Sequence, residues 1–355
     1  MTETAGKILS PLPSGKGRGG APVVARRILI VLLGSIGDVT LALPLVNRLR
    51  RGYPQAHIIW AVEPLSAPLL AQQPAVDETL IFDRPGGVAA FGRFLREVHA
   101  AGADLTLDLQ RHLKSGIVSR VSNAPLRLGF HRRNAREGNW LFNTHQLEPM
   151  PHLTPKLQQF LRFADWLGVE EAPVTFELRL TDAEERRVEE LLAAVPAPFV
   201  AAIVGASWES KLWFADRVAA VSDALTRRGV GVVLLGGPAD AQFARAVVAA
   251  ARTPLLNLTG QVNLRDAIGI LQRAGAAFGP DTGPMHIAAA VGTPVISLWG
   301  ATSPKRSAPW GNEPRVITGT AVCSPCYWRH CPIGRLCMQS ISVDAVVASV
   351  TAALV

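Results

Sequence analysis

Ile28-Leu29-Ile30-Val31-Leu32-Leu33, followed at once by Gly34-Ser35-Ile36-Gly37-Asp38-Val39, is the stretch that decides the fold. The first six residues form an unbroken apolar run of strand length, the pattern of a strand covered on both faces. Two glycines then let the chain turn sharply. Behind them Val39, Leu43, Val46 and Leu49 recur at helical spacing. A buried strand passing through a tight turn into an amphipathic helix is the opening unit of a parallel sheet.

The unit repeats on both sides of a connector. Strands are predicted at 57–62, 79–82 and 104–107, with a helix over about 88–101. The section from about 110 to 175 reads as less regular. Thr181-Asp-Ala-Glu184 then has the form of a capping box, in which the first and last side chains each satisfy the other's backbone N–H. A second alternating series follows, with strands at 199–204, 231–235, 255–258, 276–278 and 294–298 and helices between them. Two such series predict an α/β protein of two doubly wound, Rossmann-like domains, 27–180 and 181–355, with the last helix free to pack back on the first. Ligands of these sheets sit beyond the carboxyl ends of the strands, so a cleft shared by the two domains is the expected site.

Composition sets the outer bounds. Of 355 residues 48% are hydrophobic and 18% charged, enough apolar material for two cores. Residues 1–26, rich in glycine and proline, read as a disordered basic tail. The formal net charge of +8 favours anionic partners without choosing among them. No apolar run approaches bilayer length, and Ile28–Leu33 starts too late to be a signal peptide, so a cytoplasmic protein is expected. The 12 Phe, 8 Trp and 2 Tyr do not interleave with the arginines, which argues against nucleic acid.

Asp38 falls at the mouth of the first helix, where a carboxylate either caps the helix or accepts a proton from an attacking hydroxyl. Phe278-Gly-Pro-Asp281-Thr282-Gly283-Pro284-Met-His286 joins a strand to a helix. Free N–H groups at such a helix start bind anions; Thr282 adds a donor and Asp281 can grip sugar hydroxyls. The plain alternative is a capped turn with His286 in the core. Lys211, in the loop after a strand that also carries Ser207, could neutralise a departing diphosphate or simply be solvated. Asp240 either caps its helix or bonds a ribose. Arg127, His131, Arg132, Arg133 and Arg136 form a basic cluster suited to an acidic acceptor, or an ordinary solvated face. Cys323, Cys326, Cys331 and Cys337 resemble a zinc knuckle by spacing, yet hold one Cys-x₂-Cys pair instead of two, so reduced structural thiols are expected. Gly34 to Gly37 with Glu63 could imitate a dinucleotide site, but the spacing is Gly-x-x-Gly, which leaves an oxidoreductase as a rival.

Taken together, Gly37-Asp38-Val39 with Leu43-Pro44, Lys211 with Trp213, Gly279-Pro-Asp-Thr-Gly283 with His286, Ser297-Leu-Trp-Gly300-Ala-Thr302-Ser-Pro304, and the tail ending Cys337-Met338 resemble glycosyltransferase family 9, the lipopolysaccharide heptosyltransferases. The likeness runs over about residues 27 to 350. It implies a GT-B fold and metal-independent, inverting transfer of heptose from ADP-heptose, or another sugar from its nucleotide, to the inner core of lipopolysaccharide. It needs no cofactor. It implies Asp38 as base, with Ser207, Lys211, Asp240, Asp281, Thr282, Gly283 and His286 around the donor. Gly37, Arg127, Arg132 and Arg133 would meet an anionic lipid A–Kdo glycolipid, with the enzyme peripheral to the cytoplasmic face of the inner membrane. Two departures stand out: Ala239 where some members carry a ribose-binding glutamate, and Ser210 where some have an acid.

Overall fold

The structure, a computed structural model, describes residues 23–354. Most of the predicted tail lies outside these residues. Its last four do not fit that reading: Ala25 is buried, and the Tyr53 hydroxyl donates to the Val23 carbonyl at 3.2 Å.

The first domain runs β1 (Arg27–Val31), α1 (Ile36–Gly52), β2 (His57–Val62), β3 (Glu78–Ile81), α2 (Gly87–Ala100), β4 (Leu105–Asp108), α3 (Leu113–Val121), β5 (Leu126–Gly129), β6 (His145–Gln146) and α4 (Lys156–Trp166). The second begins with α5 (Asp182–Leu192), β7 (Phe199–Ile203), α6 (Ala215–Thr226), β8 (Gly231–Leu235), α7 (Ala241–Ala250) and β9 (Leu256–Asn257). It continues with α8 (Leu264–Arg273), β10 (Ala276–Pro280), α9 (Gly283–Ala290), β11 (Val295–Trp299), α10 (Pro304–Ser307), β12 (Val316–Thr318), α11 (Leu336–Gln339) and α12 (Val343–Ala353).

Each domain is built on a six-stranded sheet, ordered β3-β2-β1-β4-β5-β6 in the first and β9-β8-β7-β10-β11-β12 in the second. Every pairing is parallel. The two sheets therefore share one topology. In each, strand order reverses at the first strand, opening a crevice between β1 and β4 and another between β7 and β10. Ile28 to Val31 and the whole of β7, β8, β10 and β11 are buried, as sheets with helices on both faces require.

The section read as irregular contains α3, β5, β6 and α4. Helix α4 buries Leu157, Phe160, Phe163 and Ala164, and it packs on α1. Thr181 and Glu184 form the expected reciprocal cap at the start of α5. The last helix, α12, packs on α6 and β10 of the second domain instead of returning to the first. One apolar cluster runs through both domains, joining Val39 and Leu43 of α1 to Met285 and Ile287 of α9. Where those two helices meet end to end, a Cβ on Gly37 would lie 2.8 Å from His286 Cδ2, and one on Gly283 2.8 Å from Ile36 Cβ. Only glycine permits that approach.

Candidate active site

Asp38 is the third residue of α1, just past the carboxyl end of β1. It is not the helix cap; Ser35 holds that position, and the Asp38 carboxylate accepts a hydrogen bond from the Lys156 ammonium at the start of α4. Burial alone would push this carboxyl up, but the Lys156 charge and hydrogen bond, helped by Arg306, bring it below its ordinary value. The acid is thus held ionised.

Opposite it stands the tip of α9. Thr282 is the N-cap residue and its hydroxyl makes no capping bond, while proline in the first turn removes an N–H that would have no partner. Lys211, in a 3-10 turn after β7, places Nζ 2.7 Å from Asp281 Oδ2 and 4.7 Å from the Trp208 ring centroid. The Thr302 hydroxyl donates to the same carboxylate oxygen at 2.8 Å. Two residues expected to contact the donor separately therefore orient each other. His286 is buried and pushed down to about 4, chiefly by burial, so the ring is neutral near pH 7. Its Nδ1 is buried without a partner among the described residues.

Gly37, Asp38, Ser207, Lys211, Asp281, Thr282, Gly283 and His286 all line one cavity of about 290 Å³ between the domains, and Lys156 lines it with them. Its walls come from the ends of β1, β7 and β10, so both crevices open into it.

A second cavity of about 170 Å³ adjoins it across Asp38 and Lys156, and its cationic side chains are Arg111, Arg136, Lys156 and Arg306. Arg111 is drawn down to about 10, first by burial and then by the neighbouring Arg306 and Arg136 guanidiniums. Arg306 comes from α10 of the second domain, and its Nε is buried with no hydrogen-bond partner among the described residues. Crowded guanidiniums with an unmet donor form a receptor for an anion.

Some predicted residues lie elsewhere. Arg127 is the second residue of β5 and lines neither cavity; its guanidinium donates to the carbonyls of Ala124 at 2.6 Å and Phe142 at 3.0 Å. Arg132 and Arg133 are exposed and line neither cavity. Of the basic cluster, Arg136 is the arginine that reaches the cleft. Asp240 lines neither cavity; it accepts a hydrogen bond from the Gly237 N–H at 2.8 Å and is pushed up by burial. It remains beside the ends of β7 and β8, where a Cβ on Gly205 would strike its carboxylate. Glu63, the acid of the oxidoreductase reading, is paired with Lys114 at 2.7 Å. All four cysteines are free thiols, and burial is the first cause pushing Cys337 up. Among the described residues no group of three or more His, Cys, Asp or Glu is placed to hold a metal ion, so the knuckle-like spacing does not gather a ligand set.

Lys156 and Arg306 were missed by the sequence reading. A usable signal existed for the first: Leu157, Phe160, Ala164 and Leu167 follow Pro155-Lys156 at helical spacing, which puts Lys156 on a first turn. Arg306 carried no such signal.

Two doubly wound domains that bring an ionised acid from one against a cationic helix tip from the other have the build of a GT-B glycosyltransferase. Comparison with known proteins makes the assignment specific. Residues 91–336 match the model of glycosyltransferase family 9 (heptosyltransferase), and the chain belongs to that family. It is 26% identical over 298 residues to the lipopolysaccharide core heptosyltransferase OpsX of Haemophilus influenzae, covering 82% of this chain and 84% of the relative. Its fold is similar to that of a family 9 glycosyl transferase from Veillonella parvula (TM-score 0.80, 20% identity, 93% of this chain and 97% of that one). It is also similar to the E. coli heptosyltransferase WaaC crystallised with ADP-2-deoxy-2-fluoro heptose (TM-score 0.70, 20% identity, 92% and 99%). Among the described residues no helix is long and apolar enough to cross a membrane.

Proposed function

We propose that this enzyme transfers heptose from ADP-heptose to the inner core of lipopolysaccharide by a single displacement with inversion. The observation that carries this reading is the shared cavity of about 290 Å³ in which Asp38 faces Lys211, Asp281 and the start of α9. The ADP-heptose analogue bound by the E. coli relative supports the choice of donor.

Asp38 accepts the proton of the acceptor hydroxyl as the oxygen attacks the anomeric carbon. The bond from that carbon to the β-phosphate oxygen breaks on the opposite face, and its electron pair leaves with ADP. Lys211 and the N–H groups of α9 stabilise the charge that builds there, so the chemistry calls for no divalent cation. Asp281 steadies Lys211, and in this reading Ser207 and Thr282, which line the same cavity, donate to phosphate oxygens. The neighbouring cationic cavity receives a carboxylate or phosphate carried by the acceptor sugar, with Arg111, Arg136 and Arg306 in place of the Arg127, Arg132 and Arg133 of the sequence reading. Such an acceptor is the Kdo-bearing inner core, presented by a lipid at the cytoplasmic face of the inner membrane, with the enzyme peripheral to it.

Replacing Asp38 by Asn tests the mechanism. Turnover should fall by about 10² to 10⁴, the range for loss of a positioned base, while ADP-heptose affinity by calorimetry stays within a few fold. Unchanged turnover rules out the base. A panel of sugar nucleotides in the same calorimeter tests the donor; preference for a UDP sugar would overturn ADP-heptose.

A further inference from the structure

Between Glu313 and Asp344 the chain carries no acidic residue. Within that span, residues 322–336 expose Val322, Tyr327, Trp328, Ile333 and Leu336, with Trp328 59% and Val322 fully accessible. Large apolar side chains grouped in this way on a surface mark a contact site. Exposed Arg329 and His330 stand among them, and exposed Lys305 borders them.

The segment is firmly held from behind. The Ser210 N–H donates to the Arg329 carbonyl at 3.1 Å and its hydroxyl to the Trp328 carbonyl; Tyr327 N–H donates to Ala301 at 2.8 Å and Ser324 Oγ to Gly300 at 2.7 Å. Arg335 pairs with Glu209 at 3.1 Å, which takes up the nearest carboxylate. The backbone is thus tied to both strips that carry the donor site, the turn of Lys211 and the strand end next to Thr302, while its apolar side chains are left to solvent.

We propose that residues 322–336 are a membrane-docking loop that seats the enzyme on an anionic lipid bilayer. Tyr327 and Trp328 followed directly by Arg329 suit the interface between headgroups and acyl chains, where an aromatic ring is half buried and a guanidinium meets phosphate. The missing acids remove the repulsion an anionic surface would exert. A path to the cleft supports a lipid over a protein partner. The loop borders a groove of about 650 Å³ whose wall includes Pro304 and Lys305. These two residues also wall an apolar pocket of about 250 Å³ containing Leu41, Leu157 and Trp310, and that pocket shares Lys156 and Arg306 with the cationic cavity beside Asp38. A glycolipid leaving the bilayer at the loop meets apolar surface first and guanidiniums next. The proposal rests on a lipid-borne acceptor.

The test is vesicle co-sedimentation of the full chain with phosphatidylcholine vesicles with and without phosphatidylglycerol, comparing the parent with Trp328→Ala/Ile333→Ser and with Arg329→Glu. The parent should bind the anionic vesicles, less so at high salt. The double variant should bind about tenfold or more weakly, since burying one large apolar side chain shifts an equilibrium by at least that factor. Melting temperature and turnover on a delipidated, water-soluble acceptor should not change. Equal vesicle binding by parent and variants overturns the proposal, as does light scattering that finds a parent dimer abolished by the double variant, which would assign the loop to a second copy. Loss of turnover by the variants on the soluble acceptor overturns a pure docking role, whereas absence of turnover by the parent on it would count against the transferase reading of the site, a separate readout from vesicle binding.

Discussion

In the proposed mechanism, the contact between Lys156 and Asp38 is the one on which the acid–base step depends. Burial opposes the carboxylate and the ammonium restores it. A base must be deprotonated to act, so a depressed value keeps Asp38 competent further into acid. Lys156→Met removes the largest influence that opposes burial, leaving the weaker pull of Arg306, and moves the carboxyl upward. The acid limb of the kcat/KM profile should then shift to higher pH, with turnover recovering in alkali. An acid limb that stays in place would show that Lys156 does not tune the base. Asp38 itself was legible at this scale, because the end of a buried strand is where such a fold exposes side chains. Its partner was not: the two are 118 residues apart, and no local pattern encodes an ion pair over that distance.

At the scale of elements, α1 and α9 meet through Gly37 and Gly283, and the cleft keeps its width because neither carries a side chain there. Gly37→Ala pushes a methyl into the His286 ring at 2.8 Å. Overpacking of this kind costs about 1–3 kcal/mol, and here it also separates the acid from the donor pocket. Thermal unfolding should show the loss, and turnover should fall by more than donor affinity does. Full activity in the alanine variant would mean that the domains open and close without this contact. The helices and strands with clean periodicity were readable from sequence. Those between 110 and 175 were harder, since β6 is only two residues long and α3 includes Ser115, Gly116 and Ser119, which weaken a helical pattern. Arg127 suffered most from this: read as part of a basic cluster in a less regular section, it lies in β5 with its guanidinium bound to carbonyls.

For the whole molecule, the apolar cluster that passes from α1 into α9 gives the two domains a shared core, from which cooperative unfolding is expected. Differential scanning calorimetry of the free enzyme should record one principal unfolding transition; two well-separated transitions would contradict a shared core. The same seam brings Arg306 of the second domain into a pocket built mainly by the first, so the proposed acceptor site is complete only when the halves are together.

By itself the sequence determined the two alternating strand–helix series, their parallel sense and the residues at those strand ends, because burial periodicity and glycine turns are written into neighbouring positions; the short β5, β6 and β12 and the order of the strands came only with the structure. The sequence also marked Asp38, Lys211 and the Asp281-Thr282-Gly283 turn as facing a cleft. Only the tertiary structure decided that Lys156 holds Asp38 below its ordinary value, that Lys211 and Asp281 hold each other, and that Arg111, Arg136 and Arg306 form the cationic cavity. Those contacts join residues far apart in the chain, and the charge partners of a side chain follow from how the elements pack.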